Sequence, residues 1–154
     1  MDLTDPDTPA SELYTAASYA RVQEALAPGG AVVLHLGSPV FHPAQVRQIL
    51  ADLQRTFAHV SPFGLYIPLY GAYWGLAVAS DAMQPAQLAA ADVRRRLQQR
   101  QVSDLQYFNA EVHGALFALP NYYRALTGAS AGSAGGCASP GPSRELAQDE
   151  CLAT

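Results

Sequence analysis

The feature that most restricts the fold of this chain is an alternation of amphipathic helical segments and short apolar strands in its first half. Residues 11–27 carry apolar side chains at helical spacing, and the Pro-Gly-Gly sequence at 28–30 ends the predicted helix. The apolar run 31–37 is β-branched at its start, which is typical of a buried strand. A second amphipathic helix is predicted over residues 43–57, because its apolar side chains share one face.

Two further strand-like segments, residues 60–70 and 73–80, are separated by two residues and predict a β-hairpin. Tyr73 and Trp74 open the second of these strands, and we expect them to pack in the core or within the hairpin. Alternating helices and strands followed by a hairpin are typical of the far half of a doubly wound sheet that ends in antiparallel strands. The predicted fold class is therefore α/β, with ligands beyond the carboxyl ends of the strands.

The second half of the chain is predicted to add two helices with a short strand between them. In chain order these are a helix, a strand and a helix at residues 85–100, 105–109 and 110–126. Pro120 interrupts the last helix. After residue 127, Gly, Ala and Ser dominate the sequence without periodicity, which is typical of disorder. We therefore expect one folded part over residues 1–127 and a disordered low-complexity tail over residues 128–154.

Composition argues against several classes of function. The net charge is -4, and no arginine-rich stripe alternates with aromatic residues, so nucleic acid is not an expected partner. No stretch reaches the ~20 apolar residues that span a bilayer, and the acidic start does not resemble a signal peptide. We expect a cytoplasmic protein without a membrane segment in this chain. Cys137 and Cys151 have no histidine close by, so no metal site is predicted.

Carboxylates are concentrated at the start of the chain, in the segment DLTDPDTPASELY. Asp2 and Asp5 lie on a loop that Pro6 and Pro9 stiffen, because proline fixes its own φ and restricts the residue before it. Such a loop can hold two carboxylates in a fixed relation to bind a cationic group or take a proton. The alternative is that these Asp, Thr and Pro residues only cap the following helix.

Four segments, in order, resemble the spermidine synthase family of polyamine aminopropyltransferases. DLTDPDTPASELYT resembles the family signature Asp-x-x-Asp-Pro-x-Gly-Pro-Ala-x-x-Leu-Phe/Tyr, and LAPGGAVVLHLGSP resembles its Pro-Gly-Gly turn and following strand. IPLYGAYWGLAVAS resembles its Ile-Pro-Thr-Tyr segment, and LQYFNAEVHGALFALPNYYRAL resembles its closing segment. The resemblance implies the C-terminal half of the catalytic domain. The implied fold is a Rossmann-like doubly wound sheet, of the S-adenosylmethionine-dependent methyltransferase type, that ends in an antiparallel hairpin.

The resemblance implies a function in polyamine biosynthesis. Enzymes of this family transfer an aminopropyl group from decarboxylated S-adenosylmethionine to an amine such as putrescine, giving spermidine and methylthioadenosine. On matching positions, Asp2 is the catalytic base and Asp5 binds the amine substrate. Tyr70 matches the tyrosine that lines the amine site, while Pro9 and Ala10 match the segment against methylthioadenosine. The adenosyl compound is a co-substrate, so no permanently bound cofactor is expected.

The chain departs from the family pattern around the expected amine pocket. The Gln-Asn pair that ends the family's strand is replaced by His35 and Leu36. We expect His35 either to supply a hydrogen bond to the substrate in its place or to be structural. The threonine before Tyr70 is Leu69, and the proline after it is Gly71. These changes leave open a diamine other than putrescine, or a longer polyamine, as the acceptor.

The cofactor-binding half of the family pattern has no counterpart in this sequence. The Gly-rich turn and the acidic residue on the ribose come earlier in such folds. We therefore expect this chain by itself to be inactive, its parent to be an enzyme, and its exposed strand 31–37 to need cover. A homo-oligomer or a missing N-terminal segment would provide that cover. Two other functions stay open: a non-catalytic remnant or interaction module of the same fold, and a related methyltransferase.

Overall fold

The computed structural model describes residues 12–128 of the chain. Its helices and strands, in chain order, are α1 (Ala16–Ala25), β1 (Val32–Gly37), α2 (Pro43–Thr56), β2 (His59–Ile67), β3 (Ala72–Ser80), α3 (Ala90–Gln99), α4 (Ala110–Phe117) and α5 (Asn121–Arg124). Short 3-10 helices at Pro68–Tyr70 and Pro85–Gln87 precede β3 and α3.

β3 is the central strand of a three-stranded sheet with the order β1-β3-β2. It pairs antiparallel with both neighbours, so β1 and β2 run in the same direction although they do not touch. α2 forms the crossover between them, and β3 fills the position that this βαβ unit leaves open. The carboxyl ends of β1 and β2 therefore lie at one edge of the sheet. The α/β fold class and its antiparallel end are confirmed.

Helices pack on both faces of the sheet. On one face, alternate strand residues form a core with α1, α2 and α5, and its most buried large side chains include Tyr19, Leu34, Leu36, Leu50, Leu53 and Tyr123. Burying one aliphatic side chain of this size stabilises a fold by about 1.5–3 kcal/mol relative to its exposure. On the other face, α4 packs on β2, where the Phe63 and Phe117 rings are 5.5 Å apart. No described helix packs on β1 and β3 at that second face as closely as α4 packs on β2.

Two predicted segments are shorter than the sequence suggested. The helix expected over 11–27 begins only at α1, because the Thr15 side chain accepts a hydrogen bond from the Ser18 backbone N–H and caps it. The strand expected over 60–70 ends at Ile67, and the chain turns through the 3-10 helix Pro68–Tyr70 before β3. The capping alternative for Asp2 and Asp5 therefore has no support from the cap that is observed.

The prediction of a strand at residues 105–109 is wrong. Asp104, just before it, has a φ of +60°, which turns the chain into an irregular loop. Asn109 caps α4, since its side-chain oxygen accepts from the Val112 backbone N–H at 2.7 Å. An N-cap residue has extended backbone angles, so a capping segment resembles a strand in the sequence.

The remaining helical predictions are confirmed with interruptions. The helix expected at 85–100 is divided into the 3-10 helix Pro85–Gln87 and α3. The helix expected at 110–126 is divided into α4 and α5, with Pro120 between them as predicted. Pro85 is the first residue of that 3-10 helix and Pro120 is the N-cap of α5, because the fixed φ of proline suits the start of a helical turn.

Tyr123 of α5 fixes this helix against the sheet. Its hydroxyl donates to the carbonyl oxygens of Phe63 and Leu76, both at 3.3 Å, and burial raises the pKa of this hydroxyl well above its ordinary value. The ring lies over Gly75, where an added Cβ would be 2.8 Å from the Tyr123 hydroxyl oxygen and 3.1 Å from the Gly37 carbonyl oxygen. Gly75 therefore permits the close approach of α5 and β1 to the central strand.

Asp81 directly follows β3, and it forms hydrogen bonds at the edge of the sheet opposite the carboxyl ends of β1 and β2. Its carboxylate accepts from the Ala58 backbone N–H at 3.0 Å and from Gln23 Nε2 at 2.8 Å. Gln23 Nε2 also donates to the Thr56 carbonyl oxygen at 2.8 Å. Because Gln23 lies near the C-terminal end of α1, that end sits where β2 begins and β3 ends. The start of α1 therefore lies toward the carboxyl ends of β1 and β2.

Replacing Gly75 with alanine should lower the free energy of unfolding by about 1–3 kcal/mol, because the new methyl group overlaps the Tyr123 hydroxyl. Gly114→Ala is the matched control, since nothing lies within 4 Å of a Cβ added at this position inside α4. That change should be neutral or stabilise the fold by about 0.5–1 kcal/mol. Urea unfolding measures both variants, and equal stabilities would contradict the packing role of Gly75.

Asp81 should make the fold sensitive to acid. The Ala58 backbone N–H, with the Gln23 side chain, lowers the pKa of the Asp81 carboxyl. A lowered folded-state pKa stabilises the fold above the unfolded-state pKa, and this stabilisation disappears as pH falls through the folded-state pKa. Asp81→Asn should therefore reduce the free energy of unfolding near pH 7, and the difference from wild type should shrink below about pH 4. Denaturant unfolding across this pH range measures it; a pH-independent difference would contradict a charge effect.

Candidate functional site

An aromatic and imidazole cluster lies at the carboxyl edge of the sheet. It consists of His35, near the end of β1, Tyr70, in the 3-10 helix after β2, and Trp74, near the start of β3. We call these three residues the edge cluster. Because β1 and β2 end at the same edge, the topology of the sheet places His35 and Tyr70 at that edge, on opposite sides of β3. Open α/β sheets bind ligands beyond this edge.

The register of β1 and β3 places the edge cluster on one face of the sheet. His35 pairs with Leu76, so Trp74 is its diagonal neighbour, within reach of a long side chain. A β-bulge follows between His35 and Gly37, and bulges commonly re-aim side chains near sheet edges. Leu36 points to the opposite face and is fully buried in the core. Leu36, which stands where the family has the second residue of its Gln-Asn pair, therefore belongs to the core and not to the edge cluster.

The Trp74 indole connects the other two members of the edge cluster. Its Nε1 donates a hydrogen bond to His35 Nδ1 at 3.0 Å. Its ring centroid lies 4.5 Å from that of Tyr70, with 44° between the ring planes. An indole N–H is a donor only, so His35 Nδ1 must be the acceptor. This hydrogen bond fixes the orientation of the His35 ring through Nδ1.

The turn that carries Tyr70 leaves its ring open to solvent. Tyr70 is 49% exposed, and Leu69 beside it is 86% exposed. Gly71 has a φ of +59°, and its backbone N–H bonds to the Pro68 carbonyl oxygen to end the 3-10 helix. Proline fixes φ near about −65° and cannot adopt this conformation. The glycine at this position is thus required by the turn, and the family's usual proline would force a different one.

Two of the predicted site residues, His35 and Tyr70, are brought together by Trp74. The other predicted site residues lie outside residues 12–128: Asp2, Asp5, Pro9 and Ala10. Their roles stay predictions, as does the disorder of the tail, whose residues beyond 128 also lie outside the described part. The described part begins just before α1, whose start lies toward the edge cluster.

Trp74 packs within the hairpin as expected, against the Tyr70 ring, and its hydrogen bond to His35 is the contact that the sequence did not predict. Its neighbour Tyr73 does pack as expected, with its ring 6.4 Å and 6.2 Å from those of Tyr122 and Tyr123 on the core face. Successive strand residues point to opposite faces, so the tyrosine in the core places the tryptophan on the other side. An indole N–H that is partly buried usually donates to an acceptor. Because side chains alternate along the strand, this acceptor must lie on the face of the sheet that carries His35.

Within residues 12–128, no helix has the length and apolar character needed to cross a membrane. Within the same residues, no three His, Cys, Asp or Glu side chains converge as metal ligands would.

The chain is similar to a family domain and to several polyamine aminopropyltransferases. Residues 1–89 match the Spermine/spermidine synthase domain. The chain is 40% identical over 126 residues to a polyamine aminopropyltransferase of Nitrosomonas europaea, covering 82% of this chain and 39% of that protein. It is 37% identical over 122 residues to polyamine aminopropyltransferase 2 of Hyperthermus butylicus, covering 78% and 40%. The chain therefore spans about two fifths of the length of these curated relatives.

Solved structures share the fold. A spermidine synthase crystallised with the transition state analogue AdoDATO matches 82% of this chain and 42% of its own, with a TM-score of 0.71 and 23% identity. The spermidine synthase of Thermotoga maritima matches 80% and 42%, with a TM-score of 0.68 and 23% identity. The described sheet is thus part of a Rossmann-like, methyltransferase-type fold. Because the matching domain covers more than half of the sequence, this chain belongs to the spermine/spermidine synthase family.

Proposed function

We propose that the protein to which this chain contributes transfers an aminopropyl group from decarboxylated S-adenosylmethionine to an amine, in polyamine biosynthesis. The observation that carries the proposal is the convergence of His35 and Tyr70 at the carboxyl edge of the sheet. Both residues come from segments that resemble the family's amine site. Asp2 and Asp5 precede α1 in the sequence, and the start of α1 lies toward the same edge.

The reaction is a displacement at the carbon bound to the sulfonium centre. The amine nitrogen forms a bond to the aminopropyl carbon, while the carbon–sulfur bond breaks and its electron pair stays on sulfur in methylthioadenosine. An alkylammonium resembles a lysine side chain, with a pKa of about 10.4, so most of the amine carries a proton that blocks attack. A general base must take this proton. We assign that role to Asp2, with Asp5 binding the amine.

The substrate also needs a binding site for a chain of apolar methylene groups with cationic ends. The edge cluster suits this requirement. Tyr70 presents a half-exposed ring, and His35 lies beside it on the same face of the sheet, held by its hydrogen bond to Trp74. In this proposal Tyr70 and His35 line the amine site, and Pro9 with Ala10 pack against methylthioadenosine. Positioning of the amine in line with the sulfonium carbon then lowers the barrier.

The proposal predicts a large effect of the base. We would fuse the chain behind the N-terminal part of the Nitrosomonas europaea relative that it does not cover, and follow aminopropylated amine and methylthioadenosine by mass spectrometry. Asp2→Asn should reduce kcat/KM by about 10²–10⁴-fold, because it removes the general base. Asp104→Asn is the control, since this exposed residue in the α3–α4 loop has a φ of +60° that asparagine tolerates, and its rate should not change.

Three results would contradict the proposal in different ways. Equal rates for the Asp2 and Asp104 variants would remove Asp2 from the mechanism. Methyl transfer from ordinary S-adenosylmethionine would indicate the methyltransferase alternative. A folded chimera that transfers nothing to any diamine would favour the non-catalytic alternative.

A further inference from the structure

The outer side of β2 carries an open groove of about 580 Å³. Its floor includes residues 58–62, and its walls come from the end of α2, the 3-10 helix Pro85–Gln87 and the turn between α4 and α5. α2 and α4 pack on opposite faces of the sheet, so a groove that both helices line lies at the edge of the sheet, beside β2. We call it the β2 groove. The proposed reaction uses none of its residues.

The backbone of β2 directs polar groups toward this groove. Phe63 and Leu76 face each other in the register of β2 and β3, and the Tyr123 hydroxyl lies 3.3 Å from each of their carbonyl oxygens. One hydroxyl can reach both oxygens only if they lie between the two strands, so Phe63 bonds to β3. Backbone groups alternate in direction along an antiparallel pair. Those of the even-numbered residues of β2 therefore point to the outer edge.

Pro62 agrees with this direction, because proline has no N–H and occupies edge positions where that side of the strand is unpaired. Within residues 12–128, β2 is the last strand in the order β1-β3-β2, and no strand pairs with its outer edge. The N–H groups of Val60 and Gly64 are thus available to another extended segment. Unpaired strand edges bind such segments through main-chain hydrogen bonds, and native proteins commonly cover them.

The chain itself returns to the β2 groove where the described part ends. Thr127 lines the groove, and its carbonyl oxygen accepts a hydrogen bond from Gln54 Nε2 at 3.1 Å. Gly128 follows with a φ of +73°, which turns the chain after α5. The next eight residues of the sequence, 129–136, consist only of Ala, Ser and Gly. They lie outside the described part, and the chain leads into them beside the groove.

We propose that residues 129–136 bind in the β2 groove as an extended segment along the outer edge of β2. Among the described residues that line the groove, His59 alone is titratable, which suits a segment without charge. Gln54, Gln84 and Gln87 line it with amide groups, which can donate to peptide carbonyl oxygens and accept from peptide N–H groups. The proposal is independent of the aminopropyl transfer.

Attachment to the same chain makes a weak interaction sufficient for this binding. A segment of Ala, Ser and Gly buries little apolar area and loses much conformational entropy on ordering, so its composition by itself predicts disorder. Binding within one chain starts from an effective concentration on the order of millimolar for a short linker. Here Gly128 alone separates the segment from the groove residue Thr127. The bound segment also keeps the edge of β2 from pairing with another molecule.

Amide hydrogen exchange in the full 154-residue chain tests the proposal. The N–H groups of Val60 and Gly64 should exchange roughly 5- to 20-fold more slowly in wild type than in the double variant Ala131→Pro with Ala134→Pro. One of these positions is odd and the other even, so one proline removes an edge-facing N–H in either register. Ala147→Pro, farther along the sequence, is the control and should change neither rate. Equal rates in wild type and the double variant would overturn the proposal.

A variant of the groove tests the same contact from the other side. Ala86 is exposed and lines the groove, so Ala86→Phe should obstruct it without disturbing the core. The exchange rates of Val60 and Gly64 should then rise to those of the double proline variant. Ala91→Phe is the matched control at an exposed position of α3, and it should leave both rates unchanged. Slow exchange that persists in Ala86→Phe would contradict binding in this groove.

A second copy of the chain is the competing occupant. Slow exchange that strengthens with protein concentration, together with a dimer in sedimentation, would assign the groove to that copy and overturn the proposal. Slow exchange that is independent of concentration, in a monomer, is the expected result. If the chain by itself does not fold, the same rates are measured in the chimera with the N-terminal part of the Nitrosomonas europaea relative, and the same outcomes decide.

Discussion

The pairing of β3 with both β1 and β2 is the interaction on which the rest of the structure depends. β3 lies between β1 and β2, which α2 connects, and it pairs antiparallel with both. β1 and β2 therefore run in the same direction and end at the same edge of the sheet. Its register with β1 makes Trp74 the diagonal neighbour of His35. The same strand brings Gly75 under α5, where any side chain would collide with Tyr123. The core and the candidate site thus share one central strand.

The two faces of that strand have different tasks. On one face, Tyr73 and the small residues that follow it allow α1, α2 and α5 to pack closely, which supplies most of the apolar burial. On the other face, Trp74 is held by a hydrogen bond and a ring contact at the edge. Alternation of side chains along a strand allows one segment to serve both purposes. Along β1, the same alternation places Leu36, like Leu34, in the core on the face opposite His35.

Hydrogen bonds at the opposite edge of the sheet determine the direction of α1, the helix before β1. Asp81 and Gln23 tie the C-terminal end of α1 to the region where β2 begins. The start of the helix is consequently directed toward the edge cluster.

The sequence by itself determined the order and type of most elements and the family of the chain. The second helix was predicted at residues 43–57 and observed as α2, because apolar periodicity is a property of residues close together in the chain. The prediction at 105–109 failed because its apolar residues are not buried: Leu105 and Tyr107 are exposed in the loop before the Asn109 cap.

Only the tertiary structure decided the strand order, the bulge after His35, and the partner of Trp74. His35 and Trp74 are 39 positions apart, and Tyr70 comes from a turn rather than from the strand that the sequence favoured. Local propensity carries no information on which distant segments pair or in which register. Register depends on burying one whole face of each strand at once, and a slip of one residue would exchange Tyr73 and Trp74 between the core and the site.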